Sequence, residues 1–179
     1  MSIALVSREG TPQLGVVYDP VEATLLHAVS GDGAFRDRRP LPTGPKPMGE
    51  ALSVFADRGF LTRDDHDEIV AALDQIAHDM GTVGVQLYPG AGAVMNACGV
   101  LAHPPACYFK HPKPIGGGSL WDFAATACVF NEAGAVATDI QGAPLDLNRP
   151  GPTSMNHRGV LFATNKALAD RIRAIRLPT

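Results

Sequence analysis

The sequence predicts an α+β fold, an antiparallel meander followed by a layered α/β region. Two observations carry that expectation. Over residues 1–40, apolar runs are separated by turns too short to hold a crossover helix, so neighbouring strands must pair antiparallel. From residue 51 onward, strand-like and helix-like patterns alternate, which calls for a sheet covered by helices. Between them, residues 41–50 (LPTGPKPMGE) concentrate proline and glycine and read as a linker, giving an expected division into 1–40, 41–50 and 51–179.

The 179 residues include 15 Lys plus Arg against 18 Asp plus Glu, a net charge of −3, and 45% are hydrophobic. That apolar content excludes a disordered chain, and mild acidity gives no footprint for a nucleic-acid polymer. No apolar run approaches the ~20 residues of a membrane span. Three cysteines, Cys98, Cys107 and Cys128, lack C-x-x-C spacing and sit among apolar neighbours. They read as buried free thiols in a reducing, cytoplasmic setting.

In the meander, Ser2–Ser7, Leu14–Tyr18 and Thr24–Val29 are the strand candidates, with turns at Gly10, at Asp19-Pro20 and at Gly31-Asp32-Gly33. Leu52–Phe55 is a short apolar run. A helix then opens on Asp64, Asp65, Asp67 and Glu68, where its dipole favours carboxylates. Its apolar stripe is Ile69, Leu73, Ile76 and Met80, and Gly81 stops it. Val83–Leu87 reads as a strand and Ala91–Leu101 as a small-residue helix. Cys107–Phe109 is a short strand, and a helix is expected from near Trp121 to Gly134. Strands at Ala135–Thr138 and Gly159–Ala163 precede a helix capped by Asn165.

Several generic motifs fail. Gly90-Ala91-Gly92 lacks the third glycine of a dinucleotide fingerprint, and no GK[ST] phosphate loop is present. Gly117-Gly118-Ser119-Leu120-Trp121 lacks the closing glycine of a nucleophile elbow, which makes Ser119 a helix cap. The stretch His103–Lys113 gathers His103, Lys110, His111 and Lys113, either as a solvated basic loop or as contacts to an anionic substrate.

The segment with most chemistry is Gly116-Gly117-Gly118-Ser119-Leu120-Trp121-Asp122-Phe123-Ala124-Ala125. A carboxylate at a helix mouth commonly serves as a cap. Here the glycine-rich approach also gives access, so Asp122 could offer oxygen to a hard cation while nearby N–H groups receive phosphate oxygens. W-D-x-A-A, then Glu132-Ala133-Gly134, then Asp139-Ile140-Gln141-Gly142-Ala143-Pro144-Leu145 resembles the inositol monophosphatase family of magnesium-dependent sugar-phosphate phosphatases, which includes 3'(2'),5'-bisphosphate nucleotidases. Ser2–Val6, Gly15–Pro20 and Gly31–Phe35 look like its strands following the first metal motif, and Gly90–Val94 is similar to its G-[ST]-A-A pocket segment.

The resemblance implies the sugar-phosphatase fold and hydrolysis of a phosphate monoester by metal-activated water. It makes Asp122 a Mg²⁺ ligand and places Gly90, Ala91 and Gly92 near a small phosphorylated substrate, with Lys110 and Lys113 as further substrate contacts. Departures are evident. The family's upstream glutamate and D-P-[IL]-D-G-T motif have no counterpart, since Asp19-Pro20-Val21-Glu22 is out of register and reads as a turn. Ala91 replaces a hydroxyl residue, and no glutamate appears at Leu101-Ala102-His103 where the family has A-E-G. The chain is therefore expected to hold metal weakly by itself and to expose sheet edge and apolar surface, as a fragment or covered by a second copy. The alternative is an inactive binding or assembly module that keeps the phosphatase fold.

Overall fold

The computed structural model describes residues 1–42 and 51–175. Most of the proline-rich stretch expected to be a linker, residues 43–50, lies outside them. The meander runs through β1 (Ser2–Val6), β2 (Pro12–Asp19), β3 (Thr24–Val29), β4 (Gly33–Arg36) and β5 (Arg39–Pro40), joined in that order as one antiparallel sheet. Sequence patterning missed β5, a strand of two exposed residues with no apolar signal. Asp37 and Arg38, both with positive φ, form the tight turn that brings it back.

The second sheet contains β6 (Leu52–Ala56), β7 (Val85–Pro89), β8 (Ala106–Lys110), β9 (Val136–Thr138) and β10 (Val160–Ala163), in the order β7-β6-β8-β10-β9. Strand β6 is parallel to both β7 and β8, while β10 runs antiparallel to β8 and β9. Four helices cover it: α1 (His66–Asp79), α2 (Ala93–Ala102), α3 (Ala124–Glu132) and α4 (Lys166–Arg173). Asn165 caps α4 as expected, its Oδ1 accepting from the Leu168 N–H at 2.9 Å. The third helix begins later than Trp121, because a 3₁₀ turn over Leu120–Asp122 comes first.

Period-two alternation in the central strands decides the layering. Leu52 and Val54 of β6, Cys107 of β8, and Leu161 and Ala163 of β10 face Ile69, Leu73, Leu168 and Ile172 of α1 and α4. Phe55, Tyr108, Val160 and Phe162 point the other way, onto α2 and α3. Helix α3 has its own second partner. Its Ala125, Cys128, Val129 and the following Ala133 meet Val17, Leu26, Ala28 and Ala34 of the meander. The result is four layers, helix–sheet–helix–sheet, with α3 buried from both sides; all seven residues Ala124–Phe130 are buried. Its small residues permit this, as bulky ones would hold the two sheets apart.

The closest approach is at Gly15. A Cβ there would lie 2.3 Å from the Ala125 carbonyl oxygen and 2.9 Å from the Cys128 Cβ, so glycine is required inside β2 by contact rather than by its φ. The hairpin between β3 and β4 is fastened to the same helix: Glu132 accepts from the Gly31 N–H at 3.1 Å and the Gly33 N–H at 2.9 Å. On the far side of the meander, Ile3 (52% exposed) and Leu5 (61%) lie open on the edge strand β1. No helix among the described residues is long and apolar enough to cross a membrane.

Two outcomes follow. Gly15→Ala will destabilise the fold by about 2–3 kcal/mol in denaturant unfolding, as overpacking against backbone does. Gly59→Ala, where a Cβ meets nothing within 4 Å, will stay within about 0.5 kcal/mol. The free thiols Cys98, Cys107 and Cys128 are all buried. Burial raises Cys98 and Cys107 to about 12 and Cys128 to about 11. A folded pKa above the unfolded value of about 8.5 means stability that is intact below pH 8 and lost as pH rises toward those values. Native protein at pH 8 should therefore resist a thiol reagent that labels all three cysteines once the chain is unfolded, and its unfolding midpoint should fall between pH 8 and 10.

Candidate functional site

Because β6 is parallel to β7 and β8, their three carboxyl ends open at one edge of the second sheet. Such an edge is where open α/β sheets gather ligand-binding loops. The Gly90 N–H donates to the Ala56 carbonyl at 3.0 Å, tying the end of β7 to that of β6. Gly90 has φ +108°, which lets the chain turn there into Ala91-Gly92 and the start of α2.

Asp57, the residue after β6, stands at the centre of the edge. Its Oδ1 accepts from the Tyr108 hydroxyl at 3.0 Å and from Asn96 Nδ2 at 3.1 Å. Its Oδ2 pairs with Lys110 Nζ at 2.7 Å. Asn96 also donates to the Ala91 carbonyl at 3.1 Å, so the pocket segment 90–92 is braced to the same carboxylate. Burial, then the Asp57 charge, pushes the Tyr108 hydroxyl far above the usual phenol range, so it remains a donor. Sequence reasoning did not single out Asp57. Its signal was an acid directly after a buried apolar strand, but its partners Asn96 and Tyr108 lie 39 and 51 residues away.

Lys110 links this network to the glycine-rich loop. Its side chain is 13% exposed, and its Nζ also donates to the Gly117 carbonyl at 3.4 Å. It lies 5.5 Å from the centroid of the Phe123 ring and 5.7 Å from that of Tyr108. The loop owes its path to Gly116, Gly117 and Gly118, with φ of +82°, +96° and +86°. A Cβ on Gly117 would meet Asn156 at 2.8 Å, and one on Gly118 the Phe123 ring at 2.9 Å. Asn156 secures the loop, its Nδ2 donating to the carbonyls of Lys113 and Pro114 at 2.9 Å each. Lys113 itself is exposed and makes no ion pair among the described residues.

Asp122 ends the 3₁₀ turn, half-buried beside Trp121, whose indole is 60% exposed. Its Oδ2 accepts from the Ser119 N–H at 2.8 Å in a capping-box arrangement. Ser119 and Asp122 thus cap the turn together. The structure connects the sequence-chosen residues as one chain of contacts: Ala91 to Asn96, Asp57 and Lys110, then Gly117 and Phe123 at the Asp122 turn. The remaining motif acids shape the fold. Glu132 holds the β3–β4 hairpin, while buried Asp139 accepts from the N–H groups of Gln141 and Ala143 at 3.0 and 2.8 Å. Asp19 Oδ1 accepts from the Val21 N–H at 2.9 Å, an ordinary turn. His103 packs at a tilt against the rings of Phe55 and Tyr88.

For a divalent ion the arrangement is incomplete. One oxygen of Asp122 accepts from a backbone N–H, and Asp57 already meets three donors, the Lys110 ammonium among them. No group of three or more His, Cys, Asp or Glu among the described residues could hold a metal. Mg²⁺ needs several hard oxygens in near-octahedral geometry, and the described residues do not supply them. For an oxyanion the edge is better equipped. Helix α2 begins at Gly92 without a side-chain cap, leaving its first-turn N–H groups and positive dipole end free.

Comparison with known proteins agrees with the fold. The sequence profile of the inositol monophosphatase family matches residues 1–176. Inositol monophosphatase 1 of Sus scrofa is 29% identical over 177 residues, covering 96% of this chain and 56% of that protein. The Homo sapiens protein of the same name is 27% identical over 165 residues, covering 89% and 52%. Among solved structures, inositol monophosphatase from Anabaena (Nostoc) sp. PCC 7120 superimposes with a TM-score of 0.67 at 24% identity, covering 97% of this chain and 64% of that one. Inositol monophosphate-bound SaIMPase-II gives 0.70 at 24% identity, covering 97% and 60%. The chain spans about half the length of these curated relatives. Sharing their sequence pattern over nearly all of its length and their fold, it belongs to the inositol monophosphatase family.

Proposed function

We propose that this chain carries the substrate-binding part of a phosphomonoesterase that hydrolyses a small sugar, inositol or nucleotide phosphate in a reducing, cytoplasmic compartment. The observation behind this reading is the shared edge: the uncapped start of α2, the half-buried Lys110 ammonium and the Asp122 turn lie around one network centred on Asp57. Family membership supplies the reaction class. Structures of relatives carry inositol monophosphate and 2'AMP, both compact phosphate esters.

In this reading the free N–H groups of α2 receive phosphoryl oxygens, with Gly90 and Gly92 keeping side chains out of the way. Lys110 adds a cation held in place by Asp57, so its ammonium is already oriented when substrate arrives. Asp122 contributes one carboxylate to a Mg²⁺ site whose other ligands come from outside the described residues. A magnesium ion held there would polarise the phosphoryl group and activate a water. The inactive-module alternative rests on the same deficit of carboxylates and differs only in lacking turnover.

Titrated by calorimetry with Mg²⁺, the 179-residue chain should show only weak binding that does not saturate in the low millimolar range; tight, saturable binding would contradict the single-carboxylate reading. In phosphate-release assays with excess Mg²⁺ and inositol monophosphate, Asp122→Asn should fall to background. Its amide oxygen still accepts from the Ser119 N–H, so its unfolding midpoint should match that of the parent. Full activity in that variant would remove Asp122 from the reaction.

A further inference from the structure

Beside the Asp57–Lys110 pair, a cavity of about 350 Å³ opens between the ends of β6 and β8 and the start of α1. That volume lies within the range of about 300–1,000 Å³ typical of small-molecule sites. One wall is apolar, formed by Phe60, Ile69 and Phe109; the other carries Arg63, Lys110, His111 and Lys113. The charges do not cancel. Lys110 is matched by Asp57, and Arg63 by Asp65 through a bidentate pair at 2.6 Å for each bond. Lys113 has no carboxylate partner among the described residues, and its backbone is clamped because its N–H donates to the Asn156 carbonyl at 3.0 Å and its carbonyl accepts from Asn156 Nδ2. Arg63 spends Nε and one Nη2 hydrogen on Asp65, leaving Nη1 without a hydrogen-bond partner among the described residues.

His111 completes the polar wall. Its Nε2 is buried without a hydrogen-bond partner. Desolvation, reinforced by the Arg63 charge and only partly offset by Asp65, holds the imidazole below its ordinary value. It is therefore neutral at pH 7 and brings a hydrogen-bonding group rather than a charge.

We propose that this cavity is an oxyanion subsite, in which Lys113 and the free face of Arg63 receive a tetrahedral phosphate-type group while Phe60, Ile69 and Phe109 contact the body attached to it. The group can be a second phosphate of the substrate or free inorganic phosphate; the first source rests on the phosphatase reading above, the second does not. Geometry sets the subsite apart from the α2 terminus, because Asp57 and Lys110 stand between the two.

Inorganic phosphate titrated into the full chain at low salt, followed by calorimetry or ³¹P line width, should bind saturably. Lys113→Met should weaken that binding about tenfold, as loss of a charge-assisted contact does, with no change in unfolding midpoint because the side chain is exposed. Arg63→Met should weaken it similarly, and Asp122→Asn should leave it unchanged, which separates this claim from catalysis. Adenosine 5'-monophosphate and adenosine 3',5'-bisphosphate then distinguish the sources. A bisphosphate advantage abolished by Lys113→Met assigns the subsite to the substrate, whereas equal binding of the two assigns it to free phosphate. Absence of phosphate binding, or binding indifferent to both cavity variants, overturns the proposal.

Discussion

The site edge depends on the Asp57 carboxylate and the three donors that converge on it. Asp57 follows a buried strand directly, yet its side chain is 37% exposed, so protein donors hold its carboxylate in competition with water. Tyr108, Asn96 and Lys110 satisfy it from β8 and α2, and each gains a fixed position in return. The hydroxyl and the amide come from side chains that are fully buried, so the donors cannot swing away without opening the core. One carboxylate thereby sets the distances among the β6 end, the β8 end and the segment leading into α2. Hydrogen bonds to a charged group are about twice as strong as neutral ones, which is why this short network can position three loops.

Packing supplies the frame in which that network is possible. Helix α3 is covered by sheets on both sides, and its alanines let Gly15 of the meander touch its backbone. The turn carrying Asp122 leads directly into this helix, so the meander, which forms none of the site edge, still fixes where Asp122 stands. Glu132 performs a related task at the other end of α3 by holding the β3–β4 turn. Motif acids that look catalytic by their type are, in Glu132 and Asp139, fasteners of backbone N–H groups. Only the burial and the partners tell the two roles apart.

Much of this was legible from residue order. Apolar periodicity located the strands and helices because their faces really are divided between core and solvent, as along Ile69, Leu73 and Ile76. The Asp122 turn was visible because its glycines, its capping serine and its acid are contiguous. β5 was not visible, since two exposed residues carry no pattern. Asp57 was invisible for a different reason. Its importance lies in contacts spanning tens of residues, and its one local mark, an acid directly after the apolar run Leu52–Ala56, says nothing of those partners. The late start of α3 escaped notice because a 3₁₀ turn and the first turn of an α-helix favour the same capping residues.

The balance of charge at the edge has a final consequence for what can bind there. Lys110 lies against the rings of Tyr108 and Phe123 and is already paired, so it acts as a directed donor more than as a free positive charge. Long-range attraction for an anion must come from groups without a matched carboxylate among the described residues, among them Lys113, Arg58 beside Gly90 and the dipole of α2. Lys113 lines the cavity beside the Asp57–Lys110 pair, and α2 reaches the same pair through Asn96. An anion approaching this edge therefore meets two separate attractive places divided by a neutralised bridge. A ligand able to satisfy both must carry negative charge at two points, and one carrying it at a single point has to choose between them.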